Sequence, residues 1–296
     1  MEKPKNTTIN TFLNCPICSG DLSLDNNYYQ CLRCNENFII NSDGQPDFRL
    51  INKKTVSLDF RLGEVFSFSK IDLNVLKERK NIEIDFAEIK VPWHLTKELM
   101  SYFPKAKNSE SLMLDLGCGR AIHKEVCEHA GFRYIGIDYI SSNATLLADA
   151  HALPFKEESF EFLLSIAVLE HLQYPFVALK EAYRVLKPGG MFIGTVAFLE
   201  PFHSNSYYHH SHLGTLNSLC YAGFDVQIIA PSTDWTVIEA QSQMALFEGM
   251  KLKYSKWIFK PIKSFYHFWW KRKGYSFLER TIKTSGAFTF IAKKRD

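Results

Sequence analysis

Four of the seven cysteines stand in two Cys-x-x-Cys pairs near the start of the chain. Cys15 and Cys18 form the first pair, Cys31 and Cys34 form the second, and twelve residues lie between the pairs. Four thiolates around one centre make the tetrahedral site that zinc prefers. The spacer has room for one β-hairpin, although it is a little shorter than usual for this pattern. We expect a zinc ribbon over residues 1–50, with a structural or partner-contact role. The alternative, a redox-active Cys-x-x-Cys motif, is disfavoured because two such pairs occur at this spacing.

A glycine turn follows a short apolar run in the middle of the chain. The run contains Asp115, and Gly117 and Gly119 come next, before a stretch with helical apolar spacing. Such a turn lets the backbone approach a ligand and offers free N–H groups to an anion. Asp138 ends the next predicted strand, where a carboxylate can accept both hydroxyls of a ribose. Because Ile122 replaces the third glycine of the dinucleotide fingerprint, a ribose ligand without a pyrophosphate fits better.

These residues resemble the class I S-adenosylmethionine-dependent methyltransferases of the Asp-Leu-Gly-Cys-Gly type. Further motifs of that family follow in the family's order, at residues 148–155, 159–162, 167–172 and 184–192. The resemblance implies an α/β fold with a doubly wound, mostly parallel seven-stranded sheet, the Rossmann-like methyltransferase fold. The cysteine-containing segment resembles the small zinc-ribbon modules that accompany some methyltransferases. S-adenosylmethionine and a structural zinc are therefore the expected cofactors.

The resemblance also implies a role for the residues of the glycine turn. Asp115, Gly117 and Gly119 would shape the pocket for the methionine part of S-adenosylmethionine, and Asp138 would hold the ribose hydroxyls. The family often has a third glycine where Ala121 stands, and we expect one added methyl group to be tolerated there.

Three later residues are implied in binding the rest of the cofactor. Asp149 would accept a hydrogen bond from the adenine amino group, the Ala150 N–H would meet a ring nitrogen, and Ala167 would flank the sulfonium. Only ten residues separate Asp138 from Asp149, and a crossover helix needs about a dozen. We therefore expect a bare loop or a short third strand in this crossover.

A histidine-rich stretch follows the predicted fifth strand. Residues 198–212 hold four of the ten histidines, and ligands bind beyond the carboxyl ends of strands in open α/β sheets. Similar methyltransferases carry a His and a Tyr-Tyr-His here, which makes His203 and His209 the candidate general bases. Two alternatives stay open: the rings only shape the pocket while alignment supplies most of the rate, or the cluster binds a metal.

The chain has a basic, aromatic insertion between its last two predicted strands, at residues 231–285. Residues 251–280 hold nine Lys or Arg and one Glu, a net charge of +8 (9 − 1), with ten aromatic residues interleaved. Three hypotheses compete: a substrate lid whose aromatic residues are core, a helix in a membrane interface, and a surface for single-stranded RNA. Because Pro261 interrupts the segment, we expect two short helices.

The composition is that of an ordinary globular protein. The chain has 296 residues, of which 46% are hydrophobic and 23% charged, and a net charge of +3 that is too weak to imply nucleic acid. It lacks a secretory signal and any apolar run of about 18 residues. We expect a cytoplasmic protein, with peripheral membrane contact through residues 251–280 as an option. It divides into the zinc ribbon, a connector over 51–85 and a methyltransferase domain over 86–296.

The leading hypothesis for function is methyl transfer from S-adenosylmethionine to an oxygen or nitrogen of a small molecule, saccharide or lipid-linked intermediate. The first alternative is an rRNA or tRNA methyltransferase whose zinc module contacts RNA. Nucleic acid is the less expected partner, because residues 15–48 carry one arginine against five acidic residues. The second alternative is a non-enzymatic adaptor, against which Asp138 and the intact glycines argue.

Overall fold

The computed structural model describes residues 9–51, 54–60, 72–201 and 205–296. A small antiparallel sheet lies near the N-terminus and contains β1 (Leu22–Asp25), β2 (Tyr28–Cys31) and β3 (Asn37–Ile39). A large sheet follows and contains β4 (Asp72–Leu73), β5 (Leu112–Leu116), β6 (Arg133–Asp138), β7 (Leu146–Leu147), β8 (Phe160–Ile166), β9 (Leu186–Ala197), β10 (Asp225–Pro231) and β11 (Ala287–Lys293).

Seven α-helices are found in the described ranges. They are α1 (Lys97–Met100), α2 (Lys124–His129), α3 (Pro175–Val185), α4 (His212–Ala222), α5 (Val237–Gln241), α6 (Leu252–Arg272) and α7 (Phe277–Thr284). The side chains of β5 divide between two buried clusters, with Leu114 and Leu116 in one and Met113 in the other. A strand that is buried on both faces is typical of a doubly wound sheet and explains why β5 is a continuous apolar run.

The large sheet has the strand order β4-β10-β11-β9-β8-β5-β6-β7, and among its neighbouring pairs only those of β11 are antiparallel. The predicted α/β class and the mostly parallel, Rossmann-like sheet are confirmed. The sheet has eight strands where seven were expected, because the two-residue β4 pairs with the outer edge of β10.

The crossover between β6 and β7 contains no helix. β7 has two residues, and its Leu147 pairs in parallel with Asp138 at the end of β6. The spacing argument from the sequence is confirmed, since the few residues between these strands form turns and extended chain instead of a helix.

The Lys-Pro-Gly-Gly sequence at residues 187–190 predicts a turn into the fifth strand, but these residues lie within β9, which begins at Leu186, directly after α3. Phe160 pairs with Leu186 while Phe162 pairs with Met191, so the extra residues form a bulge within the strand. Gly189 takes the left-handed backbone at φ 70° in this bulge, and its N–H donates to the Lys294 carbonyl at 2.9 Å. The expected turn therefore exists as an irregularity of a longer strand.

The helix α6 runs through Pro261 without a break, so the prediction of two short helices is wrong. A proline removes one backbone donor, and a helix that keeps its other hydrogen bonds on both sides can continue past it. Of the helices in the described ranges, none combines the length and the hydropathy that crossing a membrane requires.

The N-terminal module packs against the edge strand β7. The Phe48 N–H donates to the Leu147 carbonyl at 2.8 Å, and the Leu147 N–H donates to the Pro46 carbonyl at 2.9 Å. Phe12 and Phe48 belong to the same buried cluster as Leu146 and Phe155. The module thus covers a sheet edge that would otherwise expose unpaired backbone groups.

Gln45 makes a buried polar contact between the module and the loop that follows β6. Its side chain is 7% exposed, and its Nε2 donates to the Ala144 carbonyl at 2.6 Å and to the Ser141 carbonyl at 3.1 Å. Both carbonyls belong to the crossover after β6, so this amide fixes the loop that follows Asp138.

We expect Gln45→Ala to lower the free energy of unfolding by about 1–3 kcal/mol, because buried carbonyls lose their donor. Urea unfolding followed by circular dichroism measures this change. Gln30→Ala, on β2 of the same module, is the matched control and should cost less than about 0.5 kcal/mol. Equal unfolding midpoints for the wild type and Gln45→Ala would contradict the contact.

Candidate functional site

The glycine turn joins the carboxyl ends of β5 and β6 through one carboxylate. The Gly119 N–H donates to Asp138 Oδ2 at 3.0 Å, while Asp138 Oδ1 accepts from the N–H groups of Ile140 and Ser141 at 2.9 and 3.0 Å. The Ser141 hydroxyl donates back to the Gly119 carbonyl at 2.5 Å. The turn and the loop after β6 therefore form one hydrogen-bonded unit around Asp138.

Three residues of the turn take left-handed backbone conformations. Gly117 and Gly119 have φ of 70° and 51°, and a Cβ at Gly117 would lie 2.7 Å from Val168. Ala121 has φ 53°, a conformation that costs a residue with a side chain about 1–2 kcal/mol. The methyl group of Ala121 is accommodated, but at the expense of backbone strain that the sequence did not indicate.

An open cavity of about 1240 Å³ lies over this unit, at the carboxyl edge of the sheet. Five residues with predicted roles in cofactor binding line it: Gly117, Asp138, Asp149, Ala150 and Ala167. The other side of the cavity is formed by the connector and by the loops after β8 and β9, including Val56, Leu58, His171, Tyr174, Asn205 and Tyr207.

Asp115 lies beneath the turn and not in the cavity wall. It is 1% exposed, and its Oδ2 accepts from the Tyr134 hydroxyl at 2.7 Å and lies 3.3 Å from His123 Nδ1. Desolvation by burial, with the Asp115 charge second, raises the pKa of Tyr134, so this hydroxyl stays protonated and keeps donating. This contact joins Asp115 on β5 to Tyr134 on β6, next to the turn.

Asp149 lines the cavity in a fixed orientation. Its Oδ1 accepts from the His151 backbone N–H at 2.9 Å and lies 2.6 Å from His151 Nδ1. Burial acts to raise the pKa of Asp149, but the contacts with His151 outweigh burial and hold that pKa below its usual value. The His151 Nε2 accepts from the Tyr174 N–H at 3.1 Å, so the ring proton belongs on Nδ1, toward the carboxylate. Sequence reasoning missed His151, although it stands two residues after Asp149.

The described part of the histidine-rich stretch contributes Asn205 and Tyr207 to the cavity wall. His203 lies outside the described residues, and His209 is half-buried without lining the cavity. Two other imidazoles line the cavity, those of His151 and His171, and His171 Nδ1 lies 3.2 Å from the Asn205 carbonyl. His210 is buried, and burial lowers its pKa. A general-base role for His203 or His209 stays a prediction.

Glu170 ties the loop after β9 to the end of β8. Its carbonyl accepts from the N–H groups of Tyr207 and Tyr208 at 2.7 and 3.2 Å, and its side chain is fully buried. Burial raises the pKa of Glu170 to about 7; the Glu200 charge adds to this, and backbone N–H groups of Glu170 and Ala197 oppose it.

Because the Glu170 carboxyl is buried, we expect the free energy of unfolding to depend on pH. Glu170→Gln should remove this dependence. Between the ordinary glutamate pKa of 4.5 and about 7, the unfolded chain releases a proton that the folded chain retains. The stability of the wild type relative to Glu170→Gln should therefore fall by about 3 kcal/mol as the pH rises through this window, and level off above it. Denaturant unfolding at a series of pH values measures this difference. Glu110→Gln, at an exposed position, should follow the wild type, and a Glu170→Gln profile parallel to the wild type would contradict the assignment.

The four N-terminal cysteines form two turns of the same kind. The Ser19 N–H donates to the Cys15 carbonyl at 2.8 Å, and the Asn35 N–H donates to the Cys31 carbonyl at 3.0 Å. Ser19 and Asn35 both have left-handed backbones, with φ of 58° and 60°. The sulfur atoms of the four cysteines lie within 4.8 Å of one another and could hold a metal ion.

Comparisons with known proteins agree with this site. Residues 114–194 match the family model of a methyltransferase domain. The arginine-hydroxylase NDUFAF5 of Danio rerio is 34% identical over 97 residues, which are 29% of this chain and 30% of that protein. A tRNA (carboxymethyluridine(34)-5-O)-methyltransferase of Arabidopsis thaliana is 27% identical over 173 residues, which are 53% of this chain and 42% of that protein. The chain thus spans less than half the length of these relatives.

Among solved structures, an S-adenosylmethionine-dependent methyltransferase from Mesorhizobium loti superposes with a TM-score of 0.43 at 14% identity, covering 66% of this chain and 95% of that one. The family match covers the strand, glycine turn and helix that carry Asp115, Gly117 and Gly119, and it extends to β9. Residues 114–194 therefore carry the methyltransferase domain that the family model describes.

Proposed function

We propose that the protein transfers a methyl group from S-adenosylmethionine to an oxygen or nitrogen of a small molecule, saccharide or lipid-linked acceptor. One observation carries this proposal: a single cavity joins the glycine turn and Asp138 to His171 and Tyr207. Its volume of about 1240 Å³ exceeds the range of roughly 300–1,000 Å³ that is usual for one small ligand. A cofactor and an acceptor can therefore occupy it together.

The residues at the cofactor end of the cavity fit S-adenosylmethionine. Each carboxylate oxygen can accept two hydrogen bonds, so Asp138 retains one acceptor position, on Oδ2, for a ribose hydroxyl beside its three backbone donors. Asp149, held ionised by His151, would accept from the adenine amino group, with the Ala150 N–H beside it. When bound, S-adenosylmethionine supplies a methyl group on a cationic sulfur, and Ala167 would flank that sulfur.

The acceptor end of the cavity would position the attacking group and receive its proton. His171 joins His203 and His209 as a candidate proton acceptor, because its imidazole is part of the cavity wall. The contact between His171 Nδ1 and the Asn205 carbonyl would orient this ring. Tyr207 lies in the same wall and would help to exclude water.

The charges of the cavity favour a small acceptor over a nucleic acid. Among the residues that the structure describes, its lining includes the carboxylates of Asp138 and Asp149 against one amine, that of Lys54. Lys54 Nζ donates to the Pro16 carbonyl at 2.5 Å, so it is already engaged with the N-terminal module. A polyanion would meet little positive potential in such a cavity.

A tRNA or rRNA acceptor is the second candidate, and the similarity to a tRNA methyltransferase over 53% of this chain supports it. In that case the N-terminal module would contact the RNA. Only Arg33 contributes positive charge to residues 15–48, and its guanidinium donates to the Cys18 carbonyl at 3.0 Å. The acidic balance of the module therefore disfavours this role.

We further propose that Cys15, Cys18, Cys31 and Cys34 bind one structural zinc ion. The Sγ atoms of Cys15 and Cys34 are 3.7 Å apart and those of Cys18 and Cys31 are 3.5 Å apart. Tetrahedral zinc with Zn–S bonds of about 2.3 Å separates its sulfur ligands by roughly 3.8 Å, so the residues fit. Backbone N–H groups of Arg33 and Cys34 lie 3.4 Å from the Cys31 sulfur and would stabilise a thiolate there.

The zinc proposal predicts about one zinc ion per purified chain, measured by mass spectrometry of the metals. Cys18→Ser should lose the metal and unfold at lower temperature, since metal binding supplies folding free energy to so small a module. Cys220→Ser is the matched control, because Cys220 is also half-buried and lies on α4; it should keep the zinc. A folded wild type without metal would contradict the proposal.

The cofactor assignment predicts that Asp138→Ala weakens binding of S-adenosylmethionine at least about tenfold, because a hydrogen bond to a charged group contributes about 1.5–3 kcal/mol. Isothermal titration calorimetry measures the affinity, and thermal unfolding shows that the variant is folded. Asp225→Ala, at an exposed position of β10, is the control. Unchanged affinity of Asp138→Ala would contradict the ribose assignment, and no binding by the wild type would contradict the proposed function.

Methyl transfer itself is tested with methyl-labelled S-adenosylmethionine and a cell extract. We expect label in the lipid, glycan or small-molecule fraction with the wild type and none with Asp138→Ala. Label that ribonuclease releases would favour the RNA alternative, and an extract without label in any fraction would contradict the enzymatic proposal.

A further inference from the structure

The helix α6 carries a continuous apolar stripe that faces outward. Seven large side chains between Tyr254 and Trp269 are 44–76% exposed: Tyr254, Trp257, Ile258, Ile262, Phe265, Phe268 and Trp269. At about 100° per residue, all seven and Pro261 fall within an arc of roughly 140° on one side of the helix. This set is called the α6 stripe. Such an extended exposed apolar patch marks an interaction site.

Several cationic residues of α6 lie beside the stripe. α6 contains six Lys or Arg residues and no acidic residue. Lys253, Lys260 and Lys271 occupy an arc next to the stripe by the same helical geometry, whereas Lys256 and Lys263 pair with Asp234 and Glu239. The helix therefore separates an apolar face from a positively charged flank.

The opposite side of α6 holds it on the protein. Ser255 is fully buried, and Lys263 Nζ lies 2.7 Å from an oxygen of Glu239, which is also fully buried. Arg280 of α7 donates to the His267 carbonyl at 3.0 Å. The stripe thus points away from a fixed attachment, so the hypothesis that these aromatic residues form the core of a lid is wrong.

The insertion leaves the sheet at the edge that holds the cavity. β10 is antiparallel to β11, and β11 is antiparallel to β9. β10 therefore runs in the same direction as β9, and Pro231 ends it at the carboxyl edge, where Asp138 and Ala167 lie. The chain enters the insertion from this edge.

We propose that the α6 stripe inserts into the headgroup region of an anionic lipid bilayer. Interfacial helices combine an exposed apolar face containing Trp and Phe with a flank of Lys and Arg. Tyr254, Trp257 and Trp269 have the amphipathic rings that favour this depth, and the absence of acidic residues from α6 complements negative headgroups. Ile258, Ile262 and Pro261 occupy the same face and offer no ring for base stacking, which disfavours single-stranded RNA.

Vesicle flotation tests the proposal with the full chain. Vesicles of phosphatidylcholine alone are compared with an equal mixture of phosphatidylcholine and phosphatidylglycerol. We expect the wild type to float with the mixed vesicles, and the triple variant Trp257→Ser, Phe265→Ser, Trp269→Ser to bind at least about tenfold more weakly. The melting temperature of the triple variant should stay close to that of the wild type, because all three side chains are exposed.

Trp93→Ser is the matched control, since Trp93 is 73% exposed, like Trp257 at 76%, but lies before α1. It should float like the wild type. Lys253→Gln with Lys260→Gln should weaken flotation with the mixed vesicles while leaving the fold intact.

Four results would overturn the proposal. The wild type could fail to float with the mixed vesicles, or the triple variant could float as well as the wild type. Alternatively, the stripe could be buried between two copies, in which case the wild type sediments as a dimer without vesicle binding and the triple variant as a monomer. Salt-sensitive binding to poly(U) that the triple variant loses, without flotation of the wild type, would identify the stripe as an RNA surface.

Discussion

The rest of the site depends on the hydrogen bonds that the Asp138 carboxylate accepts. It accepts from the Gly119 N–H on one oxygen and from Ile140 and Ser141 on the other, so the ends of β5 and β6 cannot separate. Asp138 is half-buried, and these donors replace part of the water that its carboxylate loses on folding. The same donors fix the orientation of the oxygens before any ligand arrives, and preorganisation of this kind reduces the cost of binding.

The N-terminal module extends this unit. Gln45 holds the carbonyls of Ser141 and Ala144, and the Ser141 hydroxyl holds the Gly119 carbonyl. A change in the module therefore reaches the glycine turn through two hydrogen bonds along one loop. This connection links the N-terminal module, whose buried core is shared with β7, to the glycine turn.

The sequence predicted those features whose physical cause is local. Paired cysteines, a glycine turn after an apolar strand and the short interval between Asp138 and Asp149 each restrict the backbone within a few residues. The features that sequence reasoning missed depend on distant contacts. His171 and His151 reach one cavity because two loops meet at the sheet edge, and α6 passes through Pro261 because attachment to Glu239 and α7 stabilises the whole helix. The strain at Ala121 was also hidden, since it depends on φ and not on residue type.

The insertion and the rest of the chain carry net charges of opposite sign. Residues 251–280 carry a net charge of +8, which leaves −5 for the remainder of a chain whose total is +3 (3 − 8). Near an anionic bilayer such a molecule is oriented, because the insertion is attracted while the rest is repelled. The cavity lies at the sheet edge from which the insertion departs, so the same orientation brings that edge toward the bilayer. A lipid-linked acceptor could then enter the cavity without leaving the membrane completely, whereas a soluble polyanion would meet the acidic lining formed by Asp138 and Asp149.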